Sequence, residues 1–185
     1  MITNLQTKVT VHTADARAFV RSLSATLRLK GQWFNVCFVD DTDIQRLNRE
    51  FRGKTKPTDV LSFPWQEGGL FQFGVMSQRK GEEARRGAEF AGFLGDVVIS
   101  AETARRNAAV EGHSTWNEIR WLILHGVLHL LGYDHSRDDG EMTALELALR
   151  EQLGVDGKWA RRMAKGERPT KGNSNGKRQM AKCKY

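Results

Sequence analysis

The stretch HGVLHLLGYDH, residues 125–135, holds three of the five histidines in the chain: His125, His129 and His135. His125 and His129 stand four apart in an otherwise apolar run, WLILHGVLHLL. On a helix that spacing projects both imidazoles from one face. Gly132 follows, and a glycine can take the left-handed conformation that ends helices. A chain that turns there brings His135 back toward the same point. Three neutral imidazoles with a fourth position left open make up the donor set of a catalytic zinc ion. A lone histidine on an apolar helix is usually a core residue with a satisfied hydrogen bond; two on one face, with a third after a glycine turn, are much harder to satisfy that way. The expectation is one divalent ion per chain, Zn2+ by donor type, on His125, His129 and His135. His12 and His113 have no such partners and read as ordinary surface or loop residues.

The spacing H-x3-H-x2-G-x2-H is also that of the metzincin metalloproteases, whose motif places a glutamate after the first histidine to act as general base. Here that position is Gly126. A residue without a proton acceptor cannot serve as base, so the metal spacing is present and the peptidase base is not. Asp134 and Asp96 are candidates to orient a ligand or a water, since metal-bound histidines need an acceptor on their second nitrogen. The same residues also suit a turn after Gly132 and the entry of a strand. No general base stands out.

A second stretch, LNREFRGKTKPTDVLSFP (47–64), crowds Arg49, Arg52, Lys54 and Lys56 around the end of a short helix and the loop after it. Such bases pair with phosphate oxygens, and an arginine does so through a two-pronged fork that can offset charge in a transition state. A solvated loop with a proline-set turn has the same composition.

The elements that must position these groups follow from periodicity. Residues 7–12 (TKVTVH) alternate like a strand, and 14–30 carry apolar residues at helical spacing with Gly31 as a stop. The run 32–40 is rich in aromatic and β-branched residues and predicts a strand. A short helix over 43–51 ends at Gly53, and VLSFP (60–64) is a third strand. Residues 66–91 are Gly-rich and charged without a period and read as a long loop. GFLGDVVIS (92–100) is a fourth strand, with Gly95 and Asp96 at its start or in a bulge. Helices follow over 101–112 and from Thr115 to Leu131, the latter opened by a Thr115–Glu118 capping box. A last one is opened by Asp138 and Glu141 and ends near Gly154. Four short strands mixed with about five helices predict an α+β domain with one sheet covered by helices.

At 185 residues the chain fits one domain and can build a core without disulfides. The net charge of +7 is unevenly spread: 158–185 carries ten bases and one acid, while 1–157 carries nineteen bases and twenty-one acids. The domain is therefore expected over 1–157, with a basic, disordered tail over 158–185 that either attracts a polyanion such as RNA or only solubilises. The two cysteines, Cys37 in an apolar stretch and Cys183 in the tail, suit a reducing compartment. No signal peptide or span of ~20 apolar residues is visible, so a cytoplasmic protein is expected.

LNREFRGKTKPTDVLSFP, then LGDVVIS (94–100), then HGVLHLLGYDH, in that order, resemble the bacterial YbeY endoribonuclease family. The resemblance covers most of residues 5–153. It implies a zincin-like single domain with a four-stranded mixed sheet, a metal-binding helix over 115–131, and one zinc ion on His125, His129 and His135. It implies single-strand-specific cleavage of ribosomal RNA in late maturation of the 16S 3′ end, and a part in ribosome quality control. The small ribosomal subunit, ribosomal proteins and an assembly GTPase would be partners. The arginine tied to cleavage in the family matches Arg52, inside FRGK. The long 66–91 stretch and the basic tail fall outside the family pattern. Two rival readings stay open: a zinc peptidase drawing an acid such as Glu67 or Glu89 from the long loop, and a non-enzymatic ribosome-assembly factor whose zinc only holds the fold.

Overall fold

Apolar and β-branched residues run through WFNVCFV and FLGDVVIS, and these two segments become the central strands. The computed structural model describes residues 1–65, 91–134 and 140–155. In chain order the elements are β1 (Ile2–Asn4), α1 (Thr13–Thr26), β2 (Trp33–Val39), α2 (Asp41–Arg52), β3 (Val60–Pro64) and β4 (Phe93–Ser100). Three helices follow: α3 (Ala101–Glu111), α4 (Thr115–Leu130) and α5 (Glu141–Gln152). The sheet order is β1-β2-β4-β3, with β3 antiparallel to β4 and the other neighbours parallel. This is the expected α+β domain with one mixed four-stranded sheet. Most of 66–91, Asp138, and the basic tail with Cys183 lie outside the described residues.

Side chains alternate across the sheet, and the alternation separates two layers. Val60, Val97 and Ile99 pack with α1 and α4 through Phe19, Leu23, Ile119, Leu122 and Ile123. Leu61, Phe63 and Val98 turn the other way, onto Ile44 and Leu47 of α2. The helix with the histidines and the helix ending in Arg52 thus cover opposite faces.

Four expectations need correction. Residues 7–12 form no strand; β1 lies at residues 2–4 instead. Gln6 folds its amide onto Val9, Nε2 donating to Val9 O and Oε1 accepting from Val9 N, both at 2.9 Å. The backbone groups that a ladder needs are already occupied, while Val9 and Val11 still pack inward, which explains the alternation. The first helix stops at Thr26, short of Gly31, because Arg28 and Lys30 already take positive φ values of 53° and 41°. At α4 the cap is Ser114, whose Oγ accepts from Asn117 N at 3.1 Å. Glu118 is one residue past the capping-box position and is fully buried, with Oε2 3.1 Å from His113 Nε2. His113 is therefore no ordinary loop residue but the partner of a buried carboxylate.

Gly95 explains the irregular entry of β4. Trp33 pairs with Phe93 and Phe34 with Gly95, so Leu94 is an extra residue, a β-bulge. At Gly95, φ is +133° and a Cβ would lie 2.1 Å from the Phe63 carbonyl oxygen, so only glycine fits.

Asp41 joins the starts of α2 and α3. It accepts from Ser100 Oγ at 2.6 Å and Thr103 Oγ1 at 2.7 Å, and its other oxygen is 2.7 Å from Arg106 Nη1. Burial pushes the carboxyl up, but Arg106, Ser100 and Thr103 outweigh it and hold it below the usual aspartate range. A depressed carboxyl stabilises the fold above its unfolded pKa, and that contribution is lost as pH falls through the folded value. Asp41→Ala is expected to cost ~1–3 kcal/mol at neutral pH and to flatten the acid limb of the stability curve. Denaturant unfolding at several pH values checks both. Equal losses at pH 3 and pH 7 would contradict the assignment.

Candidate metal centre

His125 and His129 sit one turn apart on α4 with ring centroids 4.5 Å apart and planes at 76°. Their Nε2 atoms face each other at 2.8 Å. Each Nδ1 has its own acceptor: Glu146 Oε2 of α5 at 3.1 Å for His125, and the Tyr133 carbonyl at 2.9 Å for His129. A carbonyl oxygen only accepts, so His129 carries its proton on Nδ1, and a carboxylate assigns His125 the same tautomer. Both Nε2 lone pairs then point at one focus. Two lone pairs at that distance repel, and a cation at the focus removes the repulsion. Ligand nitrogens on a tetrahedral zinc with bonds of ~2.0–2.1 Å stand ~3.3 Å apart, within a small ring rotation of the observed spacing. The donor set and its outer acceptors therefore fit a divalent ion.

The turn after α4 has the expected form. Gly132 takes φ +91°, its N–H reaches His129 O at 3.0 Å, and Tyr133 N reaches Leu128 O at 3.1 Å. This paired closure is a Schellman motif, and it also carries the Tyr133 carbonyl to His129. His135 lies outside the described residues, as do Glu67 and Glu89. Among the described residues no cluster of three or more histidine, cysteine or acidic side chains forms a metal cage.

The acceptors for the two Nδ1 atoms are not the aspartates singled out from sequence. Asp96 lies on the α2 face of the sheet, where its Oδ1 accepts from Asn35 Nδ2 at 2.9 Å. Burial raises its carboxyl above the usual range, and the bond from Asn35 only partly offsets this. Adjacent Val97 faces α4, so alternation alone carries Asp96 away from the histidines. Asp134 is half-buried, just past the turn. Glu146 was missed, although a signal existed. In EMTALELALR it shares the stripe of Met142, Leu145 and Leu149, and a carboxylate on the core face of a helix calls for a buried partner.

The basic cluster is built in the other layer. Gly53 ends α2 in the left-handed conformation, and Arg52 Nη1 donates to Asn48 Oδ1 at 3.4 Å. The loop is tied back to α2 where buried Asn48 donates to Lys56 O at 2.7 Å and Gln45 donates to Thr55 O. Arg49 and Lys56 are exposed, and Lys54 is half-buried. The structure thus joins His125 with His129, and places Arg49, Arg52, Lys54 and Lys56 at the end of α2, the helix that covers the opposite face, and in the loop after it. Both helices pack on β3, an edge strand. Cys37 lines the α2 layer, its thiol pushed up to about 11 by burial and by nearby Asp96 and Asp43, so it is no nucleophile.

The sequence profile of the family described as Endoribonuclease YbeY matches residues 1–154. The chain belongs to the YbeY family. Relatives named Endoribonuclease YbeY include that of Pelotomaculum thermopropionicum, 41% identical over 143 residues, which are 75% of this chain and 85% of the relative. The relative from Nautilia profundicola is 45% identical over 116 residues, 63% of this chain and 68% of its own. That of Desulforamulus reducens is 36% identical over 162 residues, 84% and 97% of the two chains. A solution structure of a Thermotoga maritima protein is 24% identical, covers 96% of this chain and all of its own, and has a TM-score of 0.46. Among the described residues no helix is long and apolar enough to cross a membrane.

In this YbeY chain the glycine in place of the peptidase glutamate has a packing cause. A Cβ on Gly126 would lie 2.5 Å from Val97 Cγ1 and 3.1 Å from Ser62 Oγ, and Ser62 Oγ donates to Gly126 O at 3.1 Å. The helix rests directly on β3 and β4 at this residue, so no larger side chain has room. Gly126→Ala gains up to ~1 kcal/mol of helix propensity but overpacks a stiff valine at a cost of ~1–3 kcal/mol. Gly126→Glu adds a buried carboxylate to that clash. Both variants are expected to melt below wild type, the glutamate variant far below, and neither to gain peptidase activity. Calorimetry and a fluorogenic peptide assay check this; an unchanged melting temperature in Gly126→Glu would refute the packing account.

Proposed function

We propose that this chain is a metal-dependent endoribonuclease that cuts single-stranded ribosomal RNA, in late maturation of the 16S 3′ end and in ribosome quality control. It would work in the cytoplasm with the small ribosomal subunit, ribosomal proteins and an assembly GTPase. Family membership supports RNA as the substrate. The observation that carries metal dependence is the pair of Nε2 lone pairs aimed at one focus while both Nδ1 atoms are engaged by Glu146 and Tyr133 O. His125, His129 and His135 would hold the ion, most simply Zn2+. When bound, the ion supplies Lewis acidity toward a phosphate oxygen and toward water.

The chain's own residues do the rest. Glu146 and the Tyr133 carbonyl keep the imidazoles in the ligating tautomer. Arg49, Lys54 and Lys56 take up phosphates without reading bases, and Arg52 offsets charge that builds on the phosphate under attack. A strand of RNA laid along the β3 edge would meet both layers. Close packing at Gly126 leaves no carboxylate where a zinc peptidase keeps its base, which weighs against peptide hydrolysis.

The deciding experiment gives freshly zinc-loaded protein a 16S 3′ precursor fragment and, separately, a fluorogenic peptide. Cleaved RNA and intact peptide are expected from wild type, with no cleavage from His129→Ala purified in parallel. RNA left whole by wild type, or cut equally by the variant, sinks the reading.

A further inference from the structure

Two rungs join α4 and α5 behind the histidine pair. Trp121 precedes His125 by one turn on α4, and Arg150 follows Glu146 by one turn on α5, so each pair shares a helix face. One rung is His125 Nδ1 on Glu146 Oε2 at 3.1 Å. The other is Arg150, whose Cζ lies 4.0 Å from the centroid of the Trp121 ring. An upright connects them, since Arg150 Nε stands 3.5 Å from Glu146 Oε1. The ladder is nearly dry: side-chain exposure is 0% for His125, 9% for Glu146 and 15% for Arg150.

We infer that Arg150, laid on the Trp121 ring and ion-paired with Glu146, is a positioning residue that aims Glu146 at His125 and so decides which imidazole nitrogen faces the metal focus. Its effect on metal binding rests on the metal reading above; its effect on the imidazole does not. A buried carboxylate with one neutral partner can swing about its side-chain torsions, and a charge buried without compensation is costly. A guanidinium on the second oxygen supplies the compensation and limits the swing. The indole face in turn holds the guanidinium flat, an attraction that planar, weakly hydrated arginine exploits better than lysine. With Glu146 held, His125 donates from Nδ1 and keeps Nε2 bare. With Glu146 loose, the proton can move to Nε2 and point a donor at the place of a cation.

The test uses the full-length chain. Nitrogen-15 NMR of the metal-free protein reads the His125 tautomer, and chelator competition reads Zn2+ affinity, for wild type, Arg150→Met, Arg150→Lys and Trp121→Leu. Wild type is expected to show the Nδ1–H form alone. Arg150→Met should show a mixture and bind Zn2+ about tenfold more weakly, the low end of the loss that follows when the outer acceptor of a metal-bound histidine, here Glu146, is disturbed. Arg150→Lys keeps the charge and loses the stacked fork, so it should fall between, and Trp121→Leu should resemble it. If Arg150→Met does not fold, the lysine variant decides. A wild-type mixture, or wild-type tautomer and affinity in Arg150→Lys and Trp121→Leu, overturns the positioning role. Zn2+ affinity that His125→Ala leaves unchanged sinks the metal reading instead, and the tautomer measurement still judges Arg150.

Discussion

With His125 and His129 both replaced by alanine, the chain is expected to retain less than a tenth of an equivalent of zinc, to lose RNA cleavage, and to remain soluble. Only the folded chain brings the two Nε2 atoms to one focus, so the ion binds the native state and raises its stability by mass action. At a thousandfold excess over its dissociation constant an ion contributes ~4 kcal/mol, or on the order of 10 °C in a domain of this size. Wild type should therefore melt well higher with zinc than without it, and the double variant should melt at one temperature in both conditions. The single variants should differ in the metal-free protein. His125 is fully buried and is the imidazole donor to Glu146, so His125→Ala leaves that carboxylate without it and costs ~1–3 kcal/mol. His129 is half-buried and its removal relieves the opposed lone pairs, so His129→Ala should cost within ~0.5 kcal/mol. Elemental analysis and calorimetry measure all of this. A full equivalent of zinc in the double variant contradicts the assignment outright.

What could be read from the residues was whatever depends on short-range pattern. The turn at Gly132, the stop at Gly53 and the strands expected over 60–64 and 92–100 each follow from a few adjacent residue types, and the structure has them there, the second strand starting one residue later at Phe93. The pairing of His125 with His129 also follows, because a four-residue step on a helix fixes direction. Groups that meet from distant parts of the chain were harder. Glu146 reaches His125 across twenty-one residues, and only its place in the apolar stripe of α5 hinted that it turns inward. Of the two readings open for Asp96, the one beside the metal fails, because nearness to a strand start says nothing about which face a side chain takes; Val97 against Gly126 puts Asp96 on the other face, where it accepts from Asn35. The supposed strand at 7–12 failed through a side-chain amide that mimics a ladder at Val9, a local competitor that no alternation pattern records. His113 looked solitary for the same reason as Glu146: its partner, Glu118, became visible only when the cap moved to Ser114 and turned Glu118 into the core.

Arg52→Lys is expected to lower the rate of RNA cleavage by ~10²–10³-fold, the usual effect of removing one well-placed donor to transition-state charge, although the positive charge is kept. The reason is shape. A guanidinium presents a rigid planar fork that can hold one phosphate oxygen while Asn48 steadies it from behind, as Arg52 Nη1 on Asn48 Oδ1 already does; an ammonium is a point charge on a flexible stem. Metal content should not change, because α2 and α4 lie on opposite faces of the sheet. RNA affinity should change little too, since Arg49, Lys54 and Lys56 remain to take phosphates. The effect should therefore fall on kcat and leave KM nearly alone, as for an interaction made in the transition state only. Arg49→Gln should do the reverse, raising KM and reducing the salt dependence of binding. Because α2 and α4 cover opposite faces of the sheet, an Arg52 effect on kcat requires the phosphate under attack to sit at the β3 edge, in reach of both the guanidinium and the histidines. Near-normal kcat in Arg52→Ala would place the residue back among the solvated bases of its loop and confine the chemistry to the α4 layer.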